Sequence, residues 1–378
     1  MEGPATRLAI GLAAIALILS ACATHEAPTP VEASNYFGPP IVLKSAGAGS
    51  SAPFASSAGL APAGDDRGAL SHPASVISTG STSASPSHGA GDTLPGGASN
   101  AAAVALAFFN RKRAEVGLPA VAFDAEIAHA ASEHAHYLTL NGAAGHDEVE
   151  GRPGFTGIDA TARVRRHTDV YGASEVLSVF NNRATQREAL EQIFDSPYHR
   201  GSIFFDWVRG GGAMESANRS ITVVDFADIG HALADNELIA WPRDGQTDAP
   251  ASWTDNEVPD PLGPGGAYRG QEVGYPITLS GGASAHIDLR TLELRDDKGH
   301  LVPCHIAPLT AADTGRNTAV CTPYKPLASG VTYSVHATGR LSQISRFSNA
   351  PFALDWHFTT RAGGSYLHVA GQGARDAD

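Results

Sequence analysis

A chain of 378 residues has room for two or three domains. Gly (41) and Pro (24) are abundant while aromatics (7%) and charges (17%) are sparse, so long stretches must lie outside any packed core. The formal net charge of -13 comes with no clustered Lys/Arg stripe, which argues against nucleic acid as a partner.

In chain order, Arg7 and the apolar run "LAIGLAAIALIL" read as an export signal over residues 1–22, too short to span a bilayer comfortably. It ends in "LSAC", which resembles the lipobox of bacterial lipoproteins. That resemblance implies diacylglyceryl attachment at Cys22 and stable anchoring by several acyl chains; an ordinary secretory signal with a chance cysteine is the alternative. Ala23 is not the aspartate of an inner-membrane retention signal, so the expected location is the cell envelope: the outer membrane, facing the periplasm, or the cell surface. Export also predicts that the two remaining cysteines, Cys304 and Cys321, pair, closing a loop for about 3 kcal/mol.

Residues 23–98 are Ala/Ser/Gly/Pro-rich without periodicity and read as a disordered tether of about 50 Å mean reach. Its one apolar patch, "NYFGPPIVL", suggests a small docking segment. Helical pattern starts near Asn100 and stops at Gly117, with Pro119 beyond. Asp124 is placed to cap a second helix, whose Ile127, Ala130, Ala131, His134 and Leu138 form one face and which Asn141-Gly142 closes. His134 lies on that apolar face as a core residue, and His129 and His136 lie on the opposite, solvated one. A loop-rich stretch follows, then a third helix opened by the capping-box spacing Thr185 to Glu188 and interrupted at Ser196-Pro197. "FDWVRGGGAMES" and "RSITVVDFADI" read as a strand pair turning near Asn218, completing an α+β domain over residues 99–232.

A Pro- and Asp-rich linker is expected over residues 233–267, an all-β region over 268–361, and a disordered tail over 362–378. "LASGVTYSV" resembles the tyrosine corner of immunoglobulin-like sandwiches, which implies that the Tyr333 hydroxyl ties back to upstream backbone. With "WHFTT" as a last strand, the region resembles a bacterial immunoglobulin-like domain, a spacer or adhesion element.

Four separated motifs, "FNRKRAEVGLPAVAFDAEIAHAA", "HAHYL…NG…GHDE", "YGASEVLS" and "DSPYHRGSI", occur in the order of one family. They resemble the bacterial branch of the CAP superfamily: cysteine-rich secretory proteins, antigen 5 and pathogenesis-related proteins. The resemblance implies an α-β-α sandwich carrying a cleft of two histidines and one or two glutamates. By motif, His146 is the histidine after the second helix, Glu175 the acid of the Gly-Glu-Asn stretch, and His199 the histidine of the Ser-Pro-Gly-His-Arg stretch. "SEVLS" lacks that asparagine, and Tyr198 stands where glycine is common. Glu188 and Glu191 are possible positions for the second glutamate, and neither is assigned.

Two neutral imidazoles, His146 and His199, beside a carboxylate suit a weakly held divalent metal such as Zn²⁺. Without metal, Glu175 would orient an imidazole for general acid/base work. No nucleophile elbow surrounds Ser174, so covalent catalysis is not expected. The expectation is therefore a lipid-anchored envelope protein whose cleft (His146, Glu175, Tyr198, His199) takes a small ligand, a lipid, cell-wall material or a protein partner. A hydrolase acting on peptide or wall material and a purely structural protein stand as alternatives.

Overall fold

In a computed structural model, residues 38–46, 97–308, 317–343 and 348–363 are described. The export signal, Cys22, most of the tether and most of the tail lie outside these residues. The apolar patch of the tether is partly described: it contributes a short strand, β1 (Val42–Leu43), with Ile41 buried beside it.

Helix α1 (Gly97–Glu115) stops at the left-handed Gly117. After β2 (Ala122–Phe123), the Asp124 carboxylate accepts the amides of Glu126 and Ile127 and starts α2 (Ala125–Asn141), which ends in the left-handed Gly142. A short α3 (Ala160–Val164) precedes β3 (Ala173–Phe180). Then come α4 (Gln186–Asp195), opened by the Thr185–Glu188 capping box, and α5 (Pro197–Ile203). The Ser-Pro interruption is thus a break between two helices, with Pro197 in the first turn of the second, where its missing N–H costs nothing. Strands β4 (Trp207–Ser216) and β5 (Ser220–Ile229) form the expected hairpin.

The first sheet runs β2-β4-β5-β3, with β2 parallel to β4 and the rest antiparallel. Strand β5 is buried along most of its length because helices cover both faces. Ile221, Val223 and Ala227 meet α2 and α3, while Val224 and Phe226 pack with Leu106 and Phe109 of α1 and Leu190 and Ile193 of α4. The result is an α-β-α layering. Gly211 permits it: a side chain there would run into the α2 backbone at Ala128 and Asp124.

The stretch read as a linker is not one. It carries β6 (Glu237–Trp241), β7 (Gln246–Ala249) and β8 (Ser252–Thr254), and it buries Trp241 and Trp253. Its prolines fall between strands, and its aromatics supply the burial that its composition disguised. Next come β9 (Glu272–Gly274), β10 (Ile277–Ser280), β11 (Ala285–Arg295), β12 (Leu301–Val302) and β13 (Cys304–Ile306). The chain closes with β14 (Thr318–Pro323), β15 (Thr332–Gln343) and β16 (Ser348–Thr360). They make two five-stranded sheets, β1-β6-β10-β14-β13 and β12-β11-β15-β16-β7, and a β8-β9 ribbon. Cys304 and Cys321 form a disulfide, and the Tyr333 hydroxyl accepts the Ala328 N–H at 2.8 Å.

One apolar cluster joins the α-β-α layers to these sheets: Phe109, Phe194 and Phe204 share it with Trp241, Trp253, Val273 and Tyr275. Buried Arg200 of α5 crosses the join and donates to the carbonyls of Phe194 and Pro276, with its guanidinium 4.8 Å from the Tyr275 ring centroid. No helix among the described residues is long and apolar enough to cross a membrane.

Candidate functional site

Glu175 lies near the start of the edge strand β3, on the face covered by α2, and is almost fully buried. Its two oxygens are both engaged. Oε1 accepts from His146 Nδ1 at 2.9 Å, and Oε2 accepts from Arg163 Nη2 at 2.7 Å. Buried Arg163, on α3, also donates to the His146 carbonyl at 2.9 Å, so one guanidinium fixes both the acid and the loop that carries the histidine. His134 Nε2 lies 3.6 Å from Glu175 Oε1. Burial alone would raise the Glu175 pKa, but the His146 hydrogen bond and the neighbouring cations bring it down to about 2.

His134 is a buried core residue with both ring nitrogens occupied, by Glu148 Oε1 at 2.9 Å and the Gly145 carbonyl at 3.2 Å. Glu148 in turn accepts the amides of Thr156 and Gly157, which folds the loop after α2 back onto the helix. Asp225 faces Glu175 across the β3–β5 pairing. Burial, then the charge of Glu175, pushes its pKa well up, so the floor of the site holds one ionised and one neutral carboxyl group.

His146 and His199 meet edge to face, with ring centroids 5.8 Å apart. They are opposites electrostatically. Burial lowers the His146 pKa, but the hydrogen bond and charge of Glu175 outweigh it and leave the group above its ordinary value. His199 is driven down to about 3 by burial, then by its neighbour His146. The His146 side chain is 42% exposed, so it forms the accessible lip of the site.

Sequence reasoning missed Glu257, which lies in the stretch taken for a linker. Its carboxyl group accepts the amides of Tyr198 and His199 at 3.1 and 2.8 Å, capping α5 where Ser196 makes no side-chain cap, and Oε1 lies 3.7 Å from His199 Nδ1. Burial raises its pKa to about 8, against the pull of those two amides. The Tyr198 phenol is half-buried, its pKa raised by burial and by Glu257 and Asp260. Only the acidic flavour of "WTDNEVPDP" marked this segment, and nothing in its spacing tied it to α5.

The other sequence candidates go elsewhere. Glu188 belongs to the α4 capping box and Glu191 pairs with Arg187, so neither supplies a second cleft glutamate. The Ser174 hydroxyl meets that of Ser202 at 3.1 Å, which gives no activated nucleophile. Among the described residues, a metal at His146 and His199 would find two nitrogens and no free third donor, because Glu175 is spent on Arg163 and His146 and Glu257 on the α5 amides. Among the described residues, the group able to converge on a metal is a different one, Glu126, His129 and His167.

Residues 106–221 match the family model described as the cysteine-rich secretory protein family, CAP. These residues are a CAP domain. The match contains α2, β3, α4, α5 and β4, and hence His146, Glu175 and His199, whereas Glu257 lies beyond it. Similar solved structures include an outer surface protein of Borrelia burgdorferi, 18% identical over 34% of this chain and 92% of that one, with a TM-score of 0.29. Another is an extracellular SCP-domain protein of Bacillus anthracis, 18% identical over 34% of this chain and 41% of that one, also with a TM-score of 0.29. No curated protein matches the sequence.

Proposed function

We propose that this is a lipid-anchored cell-envelope protein whose CAP cleft binds a small ligand through an acceptor oxygen of that ligand. The reading rests on one observation: Glu175 and Arg163 hold the partly exposed His146 ring in place, beside a half-buried His199 that stays neutral. An imidazole with a raised pKa is a good donor to a carboxylate, phosphate or carbonyl oxygen, and the neutral ring behind it supplies shape without competing charge. The lipobox at Cys22 supports anchoring, and the hydroxyl-to-backbone tie of Tyr333 supports an immunoglobulin-like C-terminal region that braces the cleft.

A second reading, hydrolysis of peptide or wall material by a water molecule, is favoured by the same pair. Two adjacent histidines whose pKa values are pushed apart resemble an acid and base assignment. The test is NMR of the histidine rings during titration with carboxylate-, phosphate- and peptide-bearing fragments, with a turnover assay on the same fragments. Binding predicts shifts at His146 that vanish in His146→Ala, with no product. In Glu175→Gln the His146 ring should titrate at lower pH and hold the fragment less well. Product formation abolished in His146→Ala would favour the hydrolase, and fragments that perturb neither ring would sink both readings.

A further inference from the structure

We propose that Glu126 and His129 of α2, with His167 from the turn after α3, form a second site, for a divalent transition-metal ion of the zinc type. It is separate from the His146/His199 cleft and does not depend on the reading of that cleft.

One ligand atom from each of the three side chains lies within 4.8 Å of the others. Glu126, His129 and Glu133 recur at i, i+3 and i+7 along α2 and so share one stripe of the helix. His167 is brought to that stripe by the turn closing α3, where its amide donates to the Val164 carbonyl at 3.0 Å. Val164 itself is packed with Ile127 and Ala130 of α2, so the approach is fixed by core contacts.

The two imidazoles meet through like atoms, His129 Nδ1 to His167 Nδ1 at 3.3 Å, with ring centroids 4.5 Å apart and planes at 64°. Two nitrogens bound to one tetrahedral ion at 2.0–2.1 Å would stand about 3.3 Å apart. The far nitrogen of His167, Nε2, lies 2.8 Å from Glu133 Oε2. A carboxylate can only accept, so Nε2 carries the proton and the Nδ1 lone pair is turned toward His129. A carboxylate that sets the tautomer and aim of a histidine is the usual second layer around a metal ion.

A plain N–H···N bond between the rings would account for the 3.3 Å contact. It would not account for a Glu126 oxygen lying within 4.8 Å of both ring nitrogens, close enough to close on an ion by a side-chain rotation. Arg165 and Arg166 immediately precede His167, but their guanidinium groups are engaged by the carbonyls of Tyr171 and Thr156. Glu126 and His129 are exposed and His167 is half-buried, so an ion can enter from solvent. Three protein donors would leave its fourth position to water or to a ligand from a partner.

The test is titration of the whole metal-stripped chain with Zn²⁺ by calorimetry, and with Co²⁺ by visible absorption, which reports tetrahedral coordination. One equivalent should bind in the wild type and in His146→Ala/His199→Ala. It should be lost in His129→Ala/His167→Ala and be about 10–100-fold weaker in Glu133→Ala. His129 and Glu133 lie on α2 and His167 in the turn after α3, and circular dichroism of each variant verifies that it is folded. Absence of binding in the wild type, binding that survives loss of His129 and His167, or binding abolished only by the cleft variant would each overturn the proposal.

Discussion

Glu257 and His199 face one another with protonation preferences opposite to those of exposed residues. The pKa of Glu257 is raised to about 8 by burial. Its contribution to stability is therefore fully present below the unfolded value near 4.5 and is lost as pH rises through about 8. His199, lowered to about 3, contributes above its unfolded value near 6.5 and loses that contribution as pH falls toward 3. Glutamine has the shape of the neutral acid and still accepts the two α5 amides. Glu257→Gln should thus match the wild type near pH 4 and exceed it near pH 8, by on the order of 3 kcal/mol in urea unfolding. Identical pH profiles would mean that Glu257 is ionised in the folded protein. At this scale the sequence was only partly legible: His146, Glu175 and His199 were marked by motif, while Arg163 and Asp225 were unremarkable letters whose roles arise from burial. Glu257 was hidden by the proline-rich stretch around it.

Helix ends were the most readable elements, because capping is local chemistry. Asp124, Gly142 and the Thr185–Glu188 box all sit where short-range spacing put them. Strand β3 was not readable, since "ASEVLSVF" alternates poorly and sits amid polar loops, so Glu175 was assigned to a loop when it is on the sheet edge. His129, read as solvated, is exposed and also meets His167, a contact made across 38 residues that no local pattern announces. The three glycines of β4 read only as part of a strand pair, yet Gly211 is where α2 presses onto the sheet. Its Cβ would strike the Ala128 amide and the Asp124 carbonyl, which are backbone atoms and cannot swing aside. Gly211→Ala should therefore destabilise by about 1–3 kcal/mol in chemical unfolding. The displaced α2 carries His134, so the His146 resonances should shift as well. An unchanged midpoint would show that α2 sits more loosely than its contacts indicate.

Composition suggested two domains joined by a linker over residues 233–267, and the described residues are arranged otherwise. A linker cannot bury Trp241 and Trp253, and this one does so in the same cluster as Phe109 and Phe194. Residue-by-residue hydropathy misses this because the burial comes from a few aromatics separated by Pro, Asp and Gly. The expected consequence is a single calorimetric transition for the described core, with a calorimetric enthalpy equal to the van't Hoff value. A chain ending at residue 232 should expose the apolar faces of α4 and α5 and leave the first turn of α5 uncapped. It should bind a hydrophobic dye and give poorly dispersed NMR spectra. A well-folded, monomeric fragment would refute the shared core.

Strand β1 is the last described foothold before the interval 47–96. Its grip on β6 is a two-residue parallel pairing, flanked by backbone hydrogen bonds from Val42 N to Asn236 O and from Lys44 N to Leu238 O, with the Lys44–Glu237 ion pair and the Asn236 side chain on the Pro40 carbonyl. A protease that cut anywhere in that interval would leave residues 38–46 held to the body of the protein by non-covalent contacts: this pairing, the buried Ile41 and the approach of Ser45 and Ala46 to Gly117. An attachment of nine residues loses the advantage of being intramolecular once the chain is cut, so it should dissociate with time. Shedding of the folded portion, intact and with its cleft unaltered, would then need one cut and no unfolding.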